Sequence, residues 1–171
     1  MKTMRLLGAI VVLALCVQKS AFAQTFDSTS ANIFNTGFDS GDLLVRWTES
    51  GLQPGASVNY TVTGTGITTY ACVMGKREAV LLTPITATVS YGFTLPVSVR
   101  GTVSQTVDVE ESDPLRNACQ GMGKIVLYQV DWTDVYINDD TNHVRALVGG
   151  GNFSLTFCDL TKNPKNCPPP S

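Results

Sequence analysis

Hydrophobic and polar residues alternate in several short stretches of the chain, which is the pattern of β-strands that bury one face. Val58, Tyr60 and Val62 alternate with asparagine and threonine, and residues 85–91 show the same period of two. The run IVLY at 125–128 is apolar at every position, which indicates a strand covered on both sides. After the first 23 residues no stretch keeps a helical period, so the chain is predicted to be all-β.

The predicted strands are runs rich in Val, Thr, Ile and Tyr, bounded by turn-forming residues. They are Leu43–Glu49, Ala56–Thr63, Ile67–Val73, Ala79–Leu82, Ile85–Tyr91, Pro96–Gln105, Ile125–Trp132, Val135–Asn138, Val144–Val148 and Phe153–Cys158. A turn is predicted at 51–55, and Gly64-Thr65-Gly66 has the composition of a hairpin turn or a bulge. The triple glycine at 149–151 is interpreted in the same way. Strands at this spacing predict a single immunoglobulin-like or jelly-roll β-sandwich.

The N-terminal 23 residues have the three parts of a secretory signal peptide. Lys2 and Arg5 precede an apolar run at 6–15, and Ala21-Phe22-Ala23 fits a cleavage site. The apolar run is too short to span a membrane. Lipidation at Cys16 is a weaker alternative, because Leu15 is larger than the small residue that a lipoprotein signal places before its cysteine. We therefore predict secretion, with a periplasmic or cell-surface location as the alternative.

Cleavage after Ala23 leaves 148 of the 171 residues, which suits one domain. We expect an extended N-terminal segment at 24–41, the β-sandwich at 42–160 and a Pro-rich tail at 161–171. The leader contains three of the twelve basic residues and none of the fourteen acidic ones, so the mature chain has a net charge of −5. This charge argues against nucleic acid and anionic membranes as partners. No later apolar segment has the length of a membrane span.

Four cysteines remain after cleavage, and an even number in an exported chain predicts two disulfides. Four cysteines can form two disulfides in three ways. We favour the scheme in which Cys72 pairs with Cys119 and Cys158 with Cys167. A zinc site would need close cysteine pairs or several histidines, which the chain lacks. The core of an antibody domain is also absent, because no tryptophan lies between Cys72 and Cys119.

Four segments carry a resemblance to a known group of proteins: DLLVRWTESGL (42–52), YACVMGK (70–76), TPITATVSY (83–91) and IVLYQVDWTDVYINDDTN (125–142). The chain resembles small secreted, mostly bacterial β-rich proteins of uncharacterised function. The resemblance covers residues 42–157 and implies that Cys72 pairs with Cys119. The chain departs from the group's Cys-Pro-Pro-Gly, having Cys119-Gln-Gly-Met instead, and its tail cysteines are an addition. The resemblance implies a fold but no activity.

Oxygen-bearing side chains are concentrated in VDWTDVYINDDTNHV at 130–144, which raises the question of a metal site. Asn138, Asp140 and Asn142 have the spacing of an EF-hand loop, but His143 occupies the position of its glycine and Gly149 that of its glutamate. A Ca²⁺ site of another type, formed by Asp139, Asp140 and Asn142, remains an alternative. We favour a strand that ends in a polar turn, and expect no cofactor.

Aromatic residues next to polar ones provide a possible ligand-binding surface. Trp132 and Tyr136, with Asp134 and Asn138 beside them, could present a platform to a sugar. The phase that Trp132 shares with Val130 favours the core for this tryptophan. Two N-glycosylation sequons begin at Asn59 and Asn152, and they matter only in a eukaryotic source.

Catalytic machinery is not recognisable in the sequence. His143 is the only histidine, and the Gly-x-Ser-x-Gly motif of serine hydrolases is absent. A mechanism that uses two carboxylates would have to rely on acidic residues that no motif distinguishes. These are Glu49, Glu78, Glu110, Glu111, Asp131 and Asp134. We therefore predict a secreted, non-enzymatic module that binds a polysaccharide or a surface protein. A structural subunit of an extracellular fibre, self-associating through donated strands, is the alternative, and a secreted hydrolase ranks third.

Overall fold

A computed structural model describes residues 23–34, 41–75, 78–110, 118–121, 123–162 and 164–169. These residues form nine β-strands and one short 3-10 helix, with no α-helix among them. The strands are β1 (Thr25–Ile33), β2 (Leu43–Ser50), β3 (Ser57–Val73), β4 (Ala79–Leu81), β5 (Ile85–Pro96), β6 (Val103–Val109), β7 (Lys124–Asp139), β8 (Val144–Leu147) and β9 (Phe153–Thr156), and the 3-10 helix is Pro164–Asn166. Within the described residues, no helix has the length and apolarity to cross a membrane. The predicted signal peptide lies outside these residues, apart from Ala23.

The strands form two antiparallel sheets that pack as a β-sandwich, as the fold prediction required. Strand order is β1-β2-β6 in the three-stranded sheet. In the six-stranded sheet β3 and β7 pair at the centre, β4 and β5 pair with successive parts of β3, and β8 and β9 pair with successive parts of β7. The immunoglobulin-like assignment stays a prediction, because the strand order and the sandwich do not by themselves establish it.

The core fills the space between the two sheets. Trp47 of β2 and Trp132 of β7 are almost completely buried, as are Tyr60 and Val62 of β3. Alternate residues of β2 face this core, which is the period of two predicted from its sequence. Trp47 therefore lies in the core, in phase with the buried Leu43 and Val45 of the same strand.

Strand β1 was absent from the predicted strands. Residues 25–33 pair with β2 along its full length, and Thr29 Oγ1 also donates a hydrogen bond to the carbonyl of Leu147 at 3.0 Å. The segment TFDSTSANI contains few large apolar residues, so its strand is specified by pairing with β2 rather than by its own pattern. Part of the expected N-terminal segment is thus an integral strand of the sandwich.

The prediction of two strands separated by a hairpin at Gly64-Thr65-Gly66 is wrong. These residues lie inside the seventeen-residue strand β3. A Cβ atom on Gly66 would lie 3.3 Å from the indole ring of Trp132, and one on Gly64 would lie 3.3 Å from Val135. The glycines therefore make room for core side chains of β7, a role that glycine also has in strand interiors.

Strand β7 is also continuous where the sequence predicted a break after Trp132. Thr63 pairs with Tyr136 and Thr65 with Thr133, so two residues of β7 oppose one residue of β3. Asp134, with φ 53°, adopts the left-handed conformation at this bulge, which aspartate tolerates better than most residues. Because the bulge adds one residue, Trp132 and Val135 both face the core.

The predicted strand Pro96–Gln105 is wrong as well, because it contains a turn. Ser98 N donates to Thr102 O at 3.0 Å, and Gly101 N donates to Ser98 O at 3.0 Å. Gly101 has φ 72°, and a Cβ there would lie 2.6 Å from the carbonyl oxygen of Leu52, so only glycine fits. This turn takes the chain from β5 in one sheet to β6 in the other.

Both favoured disulfides are confirmed. Cys72 of β3 and Cys119, just before β7, have Cα atoms 5.5 Å apart, and those of Cys158 and Cys167 are 5.1 Å apart. The first bond joins β3 to the turn that leads into the neighbouring strand β7 of the same sheet, whereas the antibody-type disulfide crosses between sheets. In the tail, the carbonyl of Pro168 accepts a hydrogen bond from Leu127 N at 3.0 Å, so the chain stays attached to β7 beyond the second disulfide.

Candidate functional site

Two strand edges that have no partner strand among the described residues lie next to each other on one side of the sandwich. In the described residues, β5 pairs only with β3, and β6 pairs only with β2. β5 and β6 belong to different sheets and are joined by the turn at 97–102. An edge strand directs alternate N–H and C=O groups away from its own sheet, where another strand can pair with them. The molecule therefore offers two such edges side by side.

A cleft of about 780 Å³ lies between these edges, lined by residues 89–91 of β5 and 105–110 on and after β6. This volume is within the range of small-ligand sites. Val89 and Val107 are half-buried and contribute apolar surface, while Ser90 and Thr106 contribute hydroxyl groups. The lining is thus amphipathic, with backbone edges on both sides; we call it the β5–β6 cleft.

Tyr91 is the most prominent side chain of the β5–β6 cleft. Its neighbours in phase along β5, Val89 and Phe93, are half-buried, whereas Tyr91 is 51 % exposed. The ring of Tyr91 lies 5.6 Å from that of Phe93, and Phe93 lies 5.5 Å from Trp47. A row of aromatic rings thus leads from the core to the cleft, which holds Tyr91 in place while it remains accessible.

Gln105 gives β6 a corresponding exposed position. It lies between Val103, which is buried, and Val107, which is half-buried, in the phase that faces the core. Gln105 is nevertheless exposed, because the two sheets are open at this side. Tyr91 and Gln105 therefore expose an aromatic ring and an amide at strand positions that are in phase with the hydrophobic core.

A second group of polar residues is buried at one end of the core. The Glu49 side chain is fully buried, and its Oε2 accepts a hydrogen bond from the Tyr60 hydroxyl at 2.7 Å. Among the described residues, Glu49 Oε1 and Trp47 Nε1 have no hydrogen-bond partner. Burial, opposed by the Tyr60 hydrogen bond and assisted by the negative charge of Asp139, raises the pKa of Glu49 to about 7. Burial and the adjacent Glu49 also raise the pKa of Tyr60.

The four residues considered as a possible ligand-binding surface are not all accessible. Trp132 is 1 % exposed, and its Nε1 donates to the carbonyl of Gly41 at 3.2 Å, so its suggested role as an exposed platform is wrong. Tyr136 is half-buried with the Arg145 guanidinium 3.5 Å from its ring centre. Asn138 donates to the Thr61 carbonyl, and Asp134 is the exposed bulge residue.

The three residues of the calcium alternative serve the turn between β7 and β8. Asp139 is almost fully buried, and its two carboxyl oxygens accept hydrogen bonds from Asn142 N at 2.8 Å and Asn142 Nδ2 at 2.6 Å. Asp140 accepts from the Thr61 hydroxyl at 2.6 Å. The described part of the chain contains no group of three acidic, histidine or cysteine side chains arranged to hold a metal ion. The carboxyl oxygens of Asp139 and Asp140 therefore accept hydrogen bonds within and next to the turn, as the interpretation of a strand ending in a polar turn predicts.

The remaining sequence candidates are dispersed. His143 is an exposed turn residue with φ 58°, and Asp131 accepts hydrogen bonds from Gln129 and Ser154. Both sequon residues, Asn59 and Asn152, are exposed. Glu78 is exposed, Glu110 lines the β5–β6 cleft, and Glu111 lies outside the described residues.

Sequence reasoning recognised Tyr91 as a strand aromatic but did not single it out as a site residue. Its cleft partners on β6 were missed, because the predicted strand ended at Gln105 and residues 106–109 were assigned to no strand. The sequence does contain a usable signal. The polar Gln105 stands between Val103 and Val107 at alternate positions, and so interrupts the apolar face of β6 as Tyr91 interrupts that of β5. Comparisons with protein-family models, with curated proteins and with solved structures yielded no match for this chain.

Proposed function

We propose that the mature protein is a secreted, non-enzymatic binding module that holds an extended segment of a surface protein in the β5–β6 cleft. The observation that carries this proposal is the pair of adjacent edges on either side of the cleft, for which the described part of the chain provides no partner strand. Binding by strand addition uses backbone hydrogen bonds for affinity and alternate side chains for specificity. The β5–β6 cleft offers the backbone groups, and Tyr91 and Gln105 offer the specific contacts.

A polypeptide fits these features better than a polysaccharide does. Among the described aromatic residues only Tyr91 is largely exposed, and Trp132 is in the core. One ring does not make the flat platform that successive sugar units require. Free strand edges, in contrast, match the hydrogen-bonding pattern of an extended polypeptide.

Secretion is supported by the leader sequence and by the two disulfides, which persist in oxidising compartments. Two bonds in a domain of this size are compatible with an extracellular location. The conclusion that the protein acts outside the cell, or at its surface, is part of the proposal.

The structural-subunit alternative requires a strand that one copy can donate to another. The N-terminal segment at 24–41 would be the natural donor, but its residues 25–33 are paired with β2 of the same chain. Donation would therefore require β1 to leave its own sheet. We expect the mature protein to be monomeric by light scattering on a sizing column, and a filamentous species would favour the alternative.

The proposal is tested with a display library of random twelve-residue peptides, screened against the protein comprising residues 24–171. We expect binders whose addition shifts backbone amide resonances of β5 and β6. Tyr91→Ala should weaken binding at least tenfold, whereas Tyr136→Ala, which alters a half-buried tyrosine on another strand, should leave it unchanged. Absence of peptide binders, resonance shifts confined to other strands, or binding of a glycan panel in place of peptides would refute it.

A further inference from the structure

Two buried acidic side chains meet at one end of the core, one from each sheet. Glu49 is the next-to-last residue of β2, Asp139 is the last residue of β7, and both are almost completely inaccessible to solvent. Asp139 is paired in register with Tyr60 of β3, whose hydroxyl donates to Glu49 at 2.7 Å, so the tyrosine brings the two carboxyl groups together. The Glu49 and Asp139 side chains lie within hydrogen-bonding reach of each other. We call these two residues the acid pair.

The hydrogen bonds around the acid pair leave a place for one proton. Both oxygens of Asp139 accept bonds from Asn142, which is the arrangement of an ionised carboxylate. Glu49 accepts the Tyr60 bond with Oε2, while its Oε1 has no partner among the described residues. Two ionised carboxylates cannot bond to each other because neither has a donor, whereas a protonated Glu49 can donate to the second lone pair of an Asp139 oxygen. A single proton therefore satisfies Oε1 and also removes one of two charges buried side by side.

The described groups around Glu49 favour its protonated form. Asp139 of β7 and Asp27 of β1 are both negative, and nearby negative charges favour a neutral carboxyl group. The bond from Tyr60 of β3 favours the ionised form, but the effect of burial is larger. On β6, Val103 is the residue opposite Glu49 in the strand pairing.

The environment of Asp139 differs, because this residue lies at an open end of the sandwich. Together with Asp140, His143 and Arg145 it lines a shallow cleft of about 400 Å³. The Arg145 guanidinium lies 3.5 Å from the centre of the Tyr136 ring. His143 is exposed and is a second group here whose charge can change near neutral pH, so an experiment has to separate its titration from that of the acid pair.

Asp139 also closes the turn between β7 and β8 through its bonds to the backbone and side-chain amides of Asn142. Loss of the proton from Glu49 would leave two negative charges within hydrogen-bonding reach of each other in a buried position, which is unfavourable. Asp139 can relieve this repulsion by turning toward the cleft that it lines, whereas the Glu49 side chain is enclosed. Such a movement breaks the bonds to Asn142.

We infer that the proton held between Glu49 and Asp139 is a pH-sensitive switch for the β7–β8 turn, residues 140–143. With the proton in place the turn is closed through Asn142. Without it Asp139 moves outward, and the turn loosens while both sheets stay folded. The turn is therefore closed at acidic pH and loosens as the pH rises through about 7, where Glu49 loses its proton. The switch does not involve the β5–β6 cleft and does not depend on the proposed binding function.

Solution NMR of the protein comprising residues 24–171 tests the switch without any substitution. We expect the side-chain carboxyl carbon of Glu49 to titrate near pH 7, and the backbone amide of Asn142 to shift with the same midpoint. Between pH 5.5 and pH 8.5 the amide shifts should change at least fivefold more at residues 140–143 than at residues 66–70 of β3. A Glu49 carbon that titrates near its ordinary value of 4.5 would overturn the shared proton. A titration near pH 7 that leaves the Asn142 amide unchanged would overturn the switch.

Two variants assign the effect to the acid pair. Glu49→Gln provides a permanent donor, since its amide nitrogen can bond to Asp139 while its oxygen accepts from Tyr60, so the Asn142 amide should keep its acidic-pH position up to pH 8.5. His143→Asn is the matched control, because asparagine tolerates the left-handed φ of 58° at this position, and the pH-dependent shift of Asn142 should persist.

The outcomes with these variants decide between the acid pair and the histidine. A pH-dependent shift of Asn142 that survives in Glu49→Gln, or one that disappears in His143→Asn, would overturn the inference. If Glu49→Gln does not fold, the wild-type carboxyl and amide titrations, together with His143→Asn, still decide it.

Discussion

The buried Glu49 makes a sharp prediction about the pH dependence of stability. Its pKa is raised from 4.5 to about 7 in the folded protein, first because burial disfavours the charged form and then because Asp139 is close. The folded state therefore retains a proton that the unfolded state has lost between these two values. The stabilisation is complete below pH 4.5 and is lost as the pH rises through about 7.

The magnitude follows from the pKa difference. One pKa unit corresponds to about 1.4 kcal/mol, so a rise from 4.5 to about 7 corresponds to about 3 kcal/mol. Because the side chain is inaccessible to solvent, screening by salt should reduce this value little. A loss of about 3 kcal/mol is a large part of the stability of a typical domain.

Glu49→Gln removes the titration while keeping an oxygen that can accept the Tyr60 hydrogen bond. Urea unfolding, followed by the fluorescence of the buried Trp47 and Trp132, gives the free energy of unfolding at pH values from 4.5 to 9. We expect the difference, variant minus wild type, to become more positive by about 3 kcal/mol between pH 4.5 and pH 8.5. Subtraction removes the titration of carboxyl groups common to both proteins.

Two variants serve as controls for this experiment. Glu78→Gln changes an exposed glutamate and should leave the pH dependence at its wild-type slope. Asp139→Asn removes the neighbouring charge and so lowers the folded-state pKa of Glu49; the loss of stability should still begin near pH 4.5 but end at a lower pH, and be smaller, than in the wild type. A difference between Glu49→Gln and wild type that stays constant across the pH range would refute the assignment of a protonated buried carboxyl group.

Two further predictions concern the packing of β3 and its disulfide. Gly66→Val should lower the free energy of unfolding by about 1–3 kcal/mol in urea, because its Cβ would press on the Trp132 ring, which lies only 3.3 Å away. Replacing Cys72 and Cys119 together by alanine should cost about 4 kcal/mol by the chain-entropy relation, since their separation of 47 residues closes a long loop; the midpoint of thermal unfolding measures the loss.

Each of these predictions has a matched control. Gly92→Val adds a side chain to an exposed position of β5 where a Cβ has only ordinary contacts, so stability should not fall as it does for Gly66→Val. Replacing Cys158 and Cys167, which are 9 residues apart, should cost about 3 kcal/mol, less than the first disulfide. Equal losses for the two glycines, or a larger loss for the tail disulfide, would contradict the respective explanation.

The fold class and both disulfides could be predicted from the sequence, because alternation and cysteine number depend on local and compositional rules. The strand boundaries within β3 and β7 could not. Gly64 and Gly66 resemble turn residues until Trp132 and Val135 are known to lie against them, and the phase of β7 changes at Asp134. The role of the glycines and the change of phase both depend on the pairing of β3 with β7. A single sequence does not show which strand pairs with which.

The candidate site was even harder to predict from the sequence than the strand boundaries. The VDWTDVYINDDTNHV stretch attracted attention because its polar residues are adjacent in sequence, yet they satisfy one another in a turn. The β5–β6 cleft combines residues from two sheets that meet only in three dimensions. Its members, such as Tyr91 and Gln105, look ordinary along the chain and become distinctive when they are exposed at positions in phase with the core.

The central pairing of β3 with β7 has a consequence for the speed of folding. Thr63 pairs with Tyr136, and Cys72 with Ile125, so the ladder at the centre of the larger sheet cannot form until most of the chain is present. Domains dominated by such distant contacts fold in milliseconds to seconds. The Cys72–Cys119 bond ends directly beside this ladder, and its formation shortens the loop that must close. An oxidising compartment should therefore accelerate folding as well as stabilise the product, and refolding should be markedly slower under reducing conditions.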